Sequence, residues 1–287
     1  MKLITGLTGL ILLIIVLITS YYIFSRPPGD VDRAQESGEE KEATGEKTPV
    51  RTPDFPPRRP NSGEGKISIA IIIDDIGFAL APVDELLRID APLAFAVLPY
   101  TPHAKAAAEM IHRQGREILL HIPMEPRSGK NKPGPGALFR DMTANDLRRQ
   151  LDDDLAVVPY VAGANNHMGS AFMEDEEKLQ VVLTELQKKG LFFVDSRTTA
   201  ASRAEGLARK TRIRFAARRL FLDNDQDQEL IFKNLLDHLE NNNSPLLIIG
   251  HPYPGTVAAL KEAIPLLQSR GIRIVPPSEL VEIIGER

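Results

Sequence analysis

Residues 67–73, Ile-Ser-Ile-Ala-Ile-Ile-Ile, form an apolar run broken only by Ser68. Such a run leaves no polar face for water, so it reads as a strand buried on both sides. A strand of that kind needs helices packed above and below its sheet, and the following chain supplies them in alternation. "APVDELLRI" opens a helix and "LAFAVLP" (93–99) is a second strand. The alanine-rich "HAKAAAEMIHRQG" is a helix stopped at Gly115. "EILLHIPM" (117–124) is a third strand, and Thr143 caps an amphipathic helix, "TANDLRRQLDDDLAVVP". A short strand and a loop share 161–170, and Asp175 caps the helix "DEEKLQVVLTELQKKG". Further strands fall at 191–198, 245–256 and 272–280, with helices "ELIFKNLLDHLENN" and "VAALKEAIPLLQSRG" before and after the second of these.

Strand-helix alternation builds a mainly parallel sheet covered by helices. Seven or eight strands over about 220 residues suit an (α/β) barrel, regular or distorted, better than a small open sheet. In both architectures the chemistry sits at the carboxyl ends of the strands.

Those ends carry a consistent set of side chains. The first run leads into Asp74-Asp75, and the third into His121 with Glu125 beyond it. The strand at 161–164 leads into Asn165, Asn166 and His167, the next into Asp195, Ser196 and Arg197, and the run at 246–249 into Gly250-His251. A single Asp at such a place is often no more than a helix cap. Two carboxylates and three imidazoles at one edge of one sheet form an O/N donor set suited to a divalent metal such as zinc. The other three of the six histidines, His103, His112 and His238, fall in or beside helical stretches and are expected in surface or packing roles.

Several function classes drop out. The net charge of −4 argues against a nucleic-acid binder. Without cysteine there is neither disulfide nor thiolate metal site. "SGKNKPGPG" (128–136) lacks the upstream glycine of a P-loop and reads as a loop beside the mouth. The basic stretch "ARKTRIRFAARR" (208–219) reads as a solvated face.

The first 65 residues are different. Residues 3–25 carry no charge, enough at about 1.5 Å per residue to cross a hydrocarbon core of roughly 30 Å. They are expected to form an uncleaved signal anchor, single-pass in the inner membrane, with the rest of the chain outside the cytoplasm. Residues 26–65 hold seven prolines among Glu, Lys and Gly and few aliphatic residues, the composition of a disordered tether. The folded domain is then expected over 66–287.

The segments "IAIIIDDIGF", "FAVLPY", "LLHIPMEP", "NNHMGSAF", "FFVDSRTT" and "IIGHPYP" together resemble the divergent polysaccharide deacetylases, relatives of the NodB-type carbohydrate esterases. The resemblance implies a distorted (α/β) barrel, an envelope location and action on an N-acetylated glycan such as peptidoglycan. It implies that Asp74 is the catalytic base, Asp75 a metal ligand and His251 the general acid. The family's close H-x-x-x-H pair is incomplete: His121 is present, but Glu125 stands where the second histidine belongs. His167 is the expected replacement, so that Asp75, His121 and His167 hold a divalent metal, zinc by preference. The arginine-proline-tyrosine motif is also absent, with Asn165-Asn166 in its region. Asp195 or Ser196 would orient a ligand histidine, and Asn165, Asn166 and Arg197 would meet sugar hydroxyls or a muramic lactyl carboxylate. A different class of protein also fits: a non-catalytic envelope protein binding glycan or a partner on the same fold.

Overall fold

In the computed structural model the described residues are 67–242 and 244–285. The expected anchor and tether, 3–25 and 26–65, lie outside them. Among the described residues no helix is long and apolar enough to cross a membrane.

The strands are β1 (Ile67–Ile76), β2 (Ala94–Val97), β3 (Ile118–Met124), β4 (Val161–Met168), β5 (Phe192–Asp195), β6 (Phe215–Ala217), β7 (Leu220–Phe221), β8 (Leu246–Gly250) and β9 (Ile272–Ile274). The helices are α1 (Ala81–Leu87), α2 (Ala104–Arg113), α3 (Ala144–Val157), α4 (Glu176–Lys188), α5 (Ala204–Thr211), α6 (Gln228–Glu240), α7 (Pro254–Ser269) and α8 (Pro277–Gly285). Both expected caps are present: Thr143 forms a reciprocal capping box with Asp146, and Asp175 accepts from the Lys178 amide.

The sheet runs β6-β5-β4-β3-β2-β1-β8-β7, with β9 paired to β1, and every strand pair is parallel. Helix α8 packs against both β1 and β6, although four strands stand between them in the order. Only a curled sheet allows that, and with no pairing between β6 and β7 the curl is a half-barrel rather than a closed barrel.

Two apolar cores follow from the period of two along each strand. One face carries Ile69, Ile71, Ile73, Phe95, Leu120, Phe193 and Ile248 against the helices. The other carries Ala70, Ile72, Ala94, Ala96, Leu119, Val194, Ala216, Leu247 and Ile249, closed by Val275, Leu280 and Val281. The inner set is small because the concave side is narrow. Gly163 shows how tight it is, since a Cβ there would stand 2.5 Å from the Phe192 ring.

The stretch 208–219 departs from the expectation of a solvated face. It completes α5 and forms β6, with Ala208, Ile213 and Ala216 buried. Its arginines are the residues that kept this pattern from reading as core, and a strand of three residues is too short to show a period.

Candidate functional site

The period of two also assembles the site. Continuing each strand two residues past its inner-face position leads from Ile72 to Asp74, Leu119 to His121, Gly163 to Asn165, Val194 to Ser196, Ala216 to Arg218 and Ile249 to His251. His121 pairs in register with Asn165 and Pro123 with His167, which places His121, Asn165 and His167 on one face. Asp75 has the wrong parity for that face. It is brought round by a backbone turn into the left-handed region, φ 57°, at the irregularity in the β1–β2 pairing between Ile73 and Ile76. The aspartate pair therefore lies within β1 and not beyond its end.

Asp75 Oδ1 is 3.3 Å from His121 Nε2 and 3.0 Å from His167 Nδ1, and those two nitrogens are 3.3 Å apart. Tetrahedral zinc with bonds near 2.0–2.1 Å sets neighbouring ligand atoms about 3.3 Å apart. The triangle matches that edge. Asp75 Oδ1 is buried without a hydrogen-bond partner, a state that a cation relieves. These three residues fit a divalent metal. Burial works against ionisation of Asp75, but the two imidazoles outweigh it and hold the carboxyl well below the usual range.

Asp74 is 3 % exposed and accepts a 2.8 Å hydrogen bond from Asn165 Nδ2. Burial raises its pKa, and His121 and Asn165 only partly offset this. Because Asn165 Nδ2 faces a carboxylate, its Oδ1 must face His121 Nδ1, 2.8 Å away. Nδ1 therefore carries the proton, which leaves Nε2 free to ligate. The orienting group expected at Asp195 or Ser196 is Asn165. Ser196 stands behind it at 3.3 Å from Nδ2, and Asp195 accepts from the Arg197 amide without reaching a histidine.

Across the pocket, His251 Nε2 is 3.7 Å from Asp75 Oδ2. Its Nδ1 meets Asp223 Oδ1 at 3.0 Å, while Asp223 Oδ2 accepts from the His251 amide and the Thr256 hydroxyl. Burial opposes the charged ring, but Asp223, Asp75 and Asp74 raise its pKa overall. Asp223 is a site residue that the sequence left unmarked. It follows β7, two residues long, so no apolar run announces the strand that positions it.

Two expected residues stand elsewhere. Glu125 is held by Arg140, through the guanidinium at 3.0 Å and the backbone amide at 2.7 Å, and does not line the pocket. Arg197 points toward Glu205, 3.7 Å away, also outside the lining. Asn166 does line it, bonded to Met168 and Thr198. The loop 128–136 contributes nothing to the lining; Gly136 packs against Asp154 and Tyr100 instead. His112 stacks on Tyr160 at 3.9 Å, a packing role. The cavity measures about 380 Å³ and is walled by Asp74, His121, His167, Arg218, Phe221 and His251, among others.

An uncharacterized protein of Agrobacterium tumefaciens shares the fold, with a TM-score of 0.72 at 24 % identity over 77 % of this chain and 92 % of that one. The uncharacterized protein YibQ of Escherichia coli is 34 % identical over 199 residues, 68 % of this chain. That match spans 62 % of YibQ, somewhat under two thirds of its length. An uncharacterized protein of Haemophilus influenzae is 32 % identical over 232 residues, 76 % of this chain and 82 % of the relative. The model of the divergent polysaccharide deacetylase family matches residues 71–281, most of the chain and all of the site described above, and the chain belongs to that family.

Proposed function

We propose that this protein is a metal-dependent hydrolase that removes N-acetyl groups from a cell-envelope glycan. The observation that carries the reading is the convergence, around one pocket, of the Asp75–His121–His167 triangle, whose histidines line it, with the buried Asp74 and the Asp223-held His251. A divalent metal bound by the triangle supplies a Lewis acid for the acetamide oxygen and lowers the pKa of water. Asp74, with its raised pKa, takes the proton as water oxygen bonds to the carbonyl carbon. The carbon–nitrogen bond then breaks, acetate leaves, and the His251 Nε2 proton passes to the amine nitrogen. Asp223 keeps His251 charged for that donation. Asn165 couples the two halves, since one amide orients both His121 and Asp74.

We place the domain outside the cytoplasm, anchored by residues 3–25 and carried on the 26–65 tether. A periplasm-dependent reporter fused after residue 287 tests this placement, and activity of a cytoplasm-only reporter at that position would refute it. The catalytic reading is tested on the full chain, loaded with zinc, by acetate release from chitooligosaccharides and from peptidoglycan. Bound metal without acetate release from either would favour the binding-protein alternative.

A further inference from the structure

Among the described residues, Arg218 is the one cation in the pocket lining apart from the histidines. It stands on the inner-face parity of β6, where the other strands present Asp74, His121, Asn165 and His251. Its guanidinium is tightly placed. Nε donates to the Ser196 carbonyl at 2.7 Å and Nη2 to the Arg197 carbonyl at 3.1 Å. Its carbon lies 4.9 Å from the centre of the Phe221 ring, a cation–π contact.

What it lacks is a counter-ion. Its hydrogen-bond acceptors are neutral carbonyls, and among the described residues Nη1 has no hydrogen-bond partner and no carboxylate forms an ion pair with the guanidinium. Burial pushes its pKa down, and Asp195 and Asp74 counter that only through space. A partly desolvated cation with an unused donor edge on a cavity is suited to an anion arriving from that cavity. The same segment adds Asn224, an exposed lining residue beside Asp223 and Phe221 whose side chain has no hydrogen bond among the described residues.

We propose that Arg218 is a specificity residue that binds a carboxylate of the substrate, so that the glycan is one bearing an acid group beside its acetamido sugar. This rests on the deacetylase reading and sharpens it to anionic, N-acetylated glycans. It also moves the carboxylate contact from Arg197, whose side chain leaves the pocket, to the arginine that enters it.

Calorimetric binding to the full chain tests the assignment. The probes are a tetrasaccharide of alternating N-acetylglucosamine and N-acetylmuramic acid, and the same compound with its carboxylates reduced to alcohols. The wild type should prefer the acid by roughly 10- to 100-fold, the scale of a charge-assisted contact. Arg218→Gln should erase the preference while binding the reduced probe within about twofold of wild type, and Arg218→Lys should restore part of it. Equal wild-type affinity for the two probes overturns the proposal, and that arm needs no variant to fold. A uniform loss for both probes in Arg218→Gln also overturns it and makes the residue a support for Asp74. Acetate release is scored separately. Carboxylate preference without release sinks the deacetylase reading alone, and release without preference sinks this proposal alone.

Discussion

Asp223 grips His251 at two points, its Oδ1 3.0 Å from the ring Nδ1 and its Oδ2 2.5 Å from the same residue's backbone amide. A carboxylate so placed fixes both the orientation and the proton of the imidazole, leaving Nε2 to face the pocket. Without Asp223 the burial that opposes a charged ring is less fully offset, so the His251 pKa must fall. Asp223→Asn should lower turnover by about 10- to 100-fold and move the alkaline limb of the pH–rate profile to lower pH, with metal content unchanged. A limb that stays in place would show that His251 is not the acid.

The neighbouring carboxylates should separate cleanly. On the proposed metal site, Asp75→Asn removes the carboxylate that faces both imidazoles, and the zinc-loaded protein should lose most of its metal. Asp74→Asn keeps the triangle and should keep the metal, while turnover falls by about 100-fold or more. Elemental analysis and acetate release on both variants decide it. Equal metal loss in the two would make both residues ligands.

Asn165 links these roles. Asn165→Leu deprives His121 Nδ1 of its acceptor and Asp74 of its donor. Zinc affinity should fall about 10- to 100-fold, the usual cost of losing a group that orients a ligand histidine. Turnover should stay low at saturating zinc, because Asp74 remains misplaced. Unchanged affinity in a chelator competition would show that His121 is oriented by something else.

Another buried carboxylate, on a helix away from the pocket lining, bears on stability. Asp154, on α3, is fully buried; Oδ1 accepts from Gln150 and Oδ2 has no partner. Burial lifts its pKa to about 7, with Gln150 and Tyr100 only partly offsetting that. Its folded pKa thus exceeds the unfolded value of about 3.9, so stability is lost as pH rises from about 4 to about 7 and levels off above. Asp154→Asn removes that loss. The variant should match the wild type near pH 4 and exceed it by about 2–4 kcal/mol at pH 8, read from urea midpoints at both pH values. No gain at pH 8 would mean that the ionised group is better solvated than its burial implies.

The strands legible in the sequence are those long enough, or apolar enough, to show their burial. The run at 67–73 announces β1, and the runs before His121, Asp195 and His251 announce β3, β5 and β8. Polar groups following such runs could be gathered at one sheet edge because every strand pair is parallel. That much is local: burial on both faces is written in composition, and a parallel sheet has its strand carboxyl ends on one side. The short strands β6 and β7 leave no comparable mark, so that Arg218 reads as part of a solvated basic face and Asp223 carries no signal at all.

Which groups at the edge converge is a matter of register and backbone conformation, and neither is local. Glu125 lies only one residue past the end of β3, yet it turns to Arg140; His167, from a different strand, completes the triangle because Pro123 pairs with it. Asp75 reaches the two imidazoles by a positive φ that no residue pattern announces, since aspartate tolerates that region more readily than most residues but adopts it at few of its positions. Sequence by itself determined the layers and the chemical inventory. The curl of the sheet decided which of those groups share one cavity, because face and distance there depend on pairing between strands far apart in the chain.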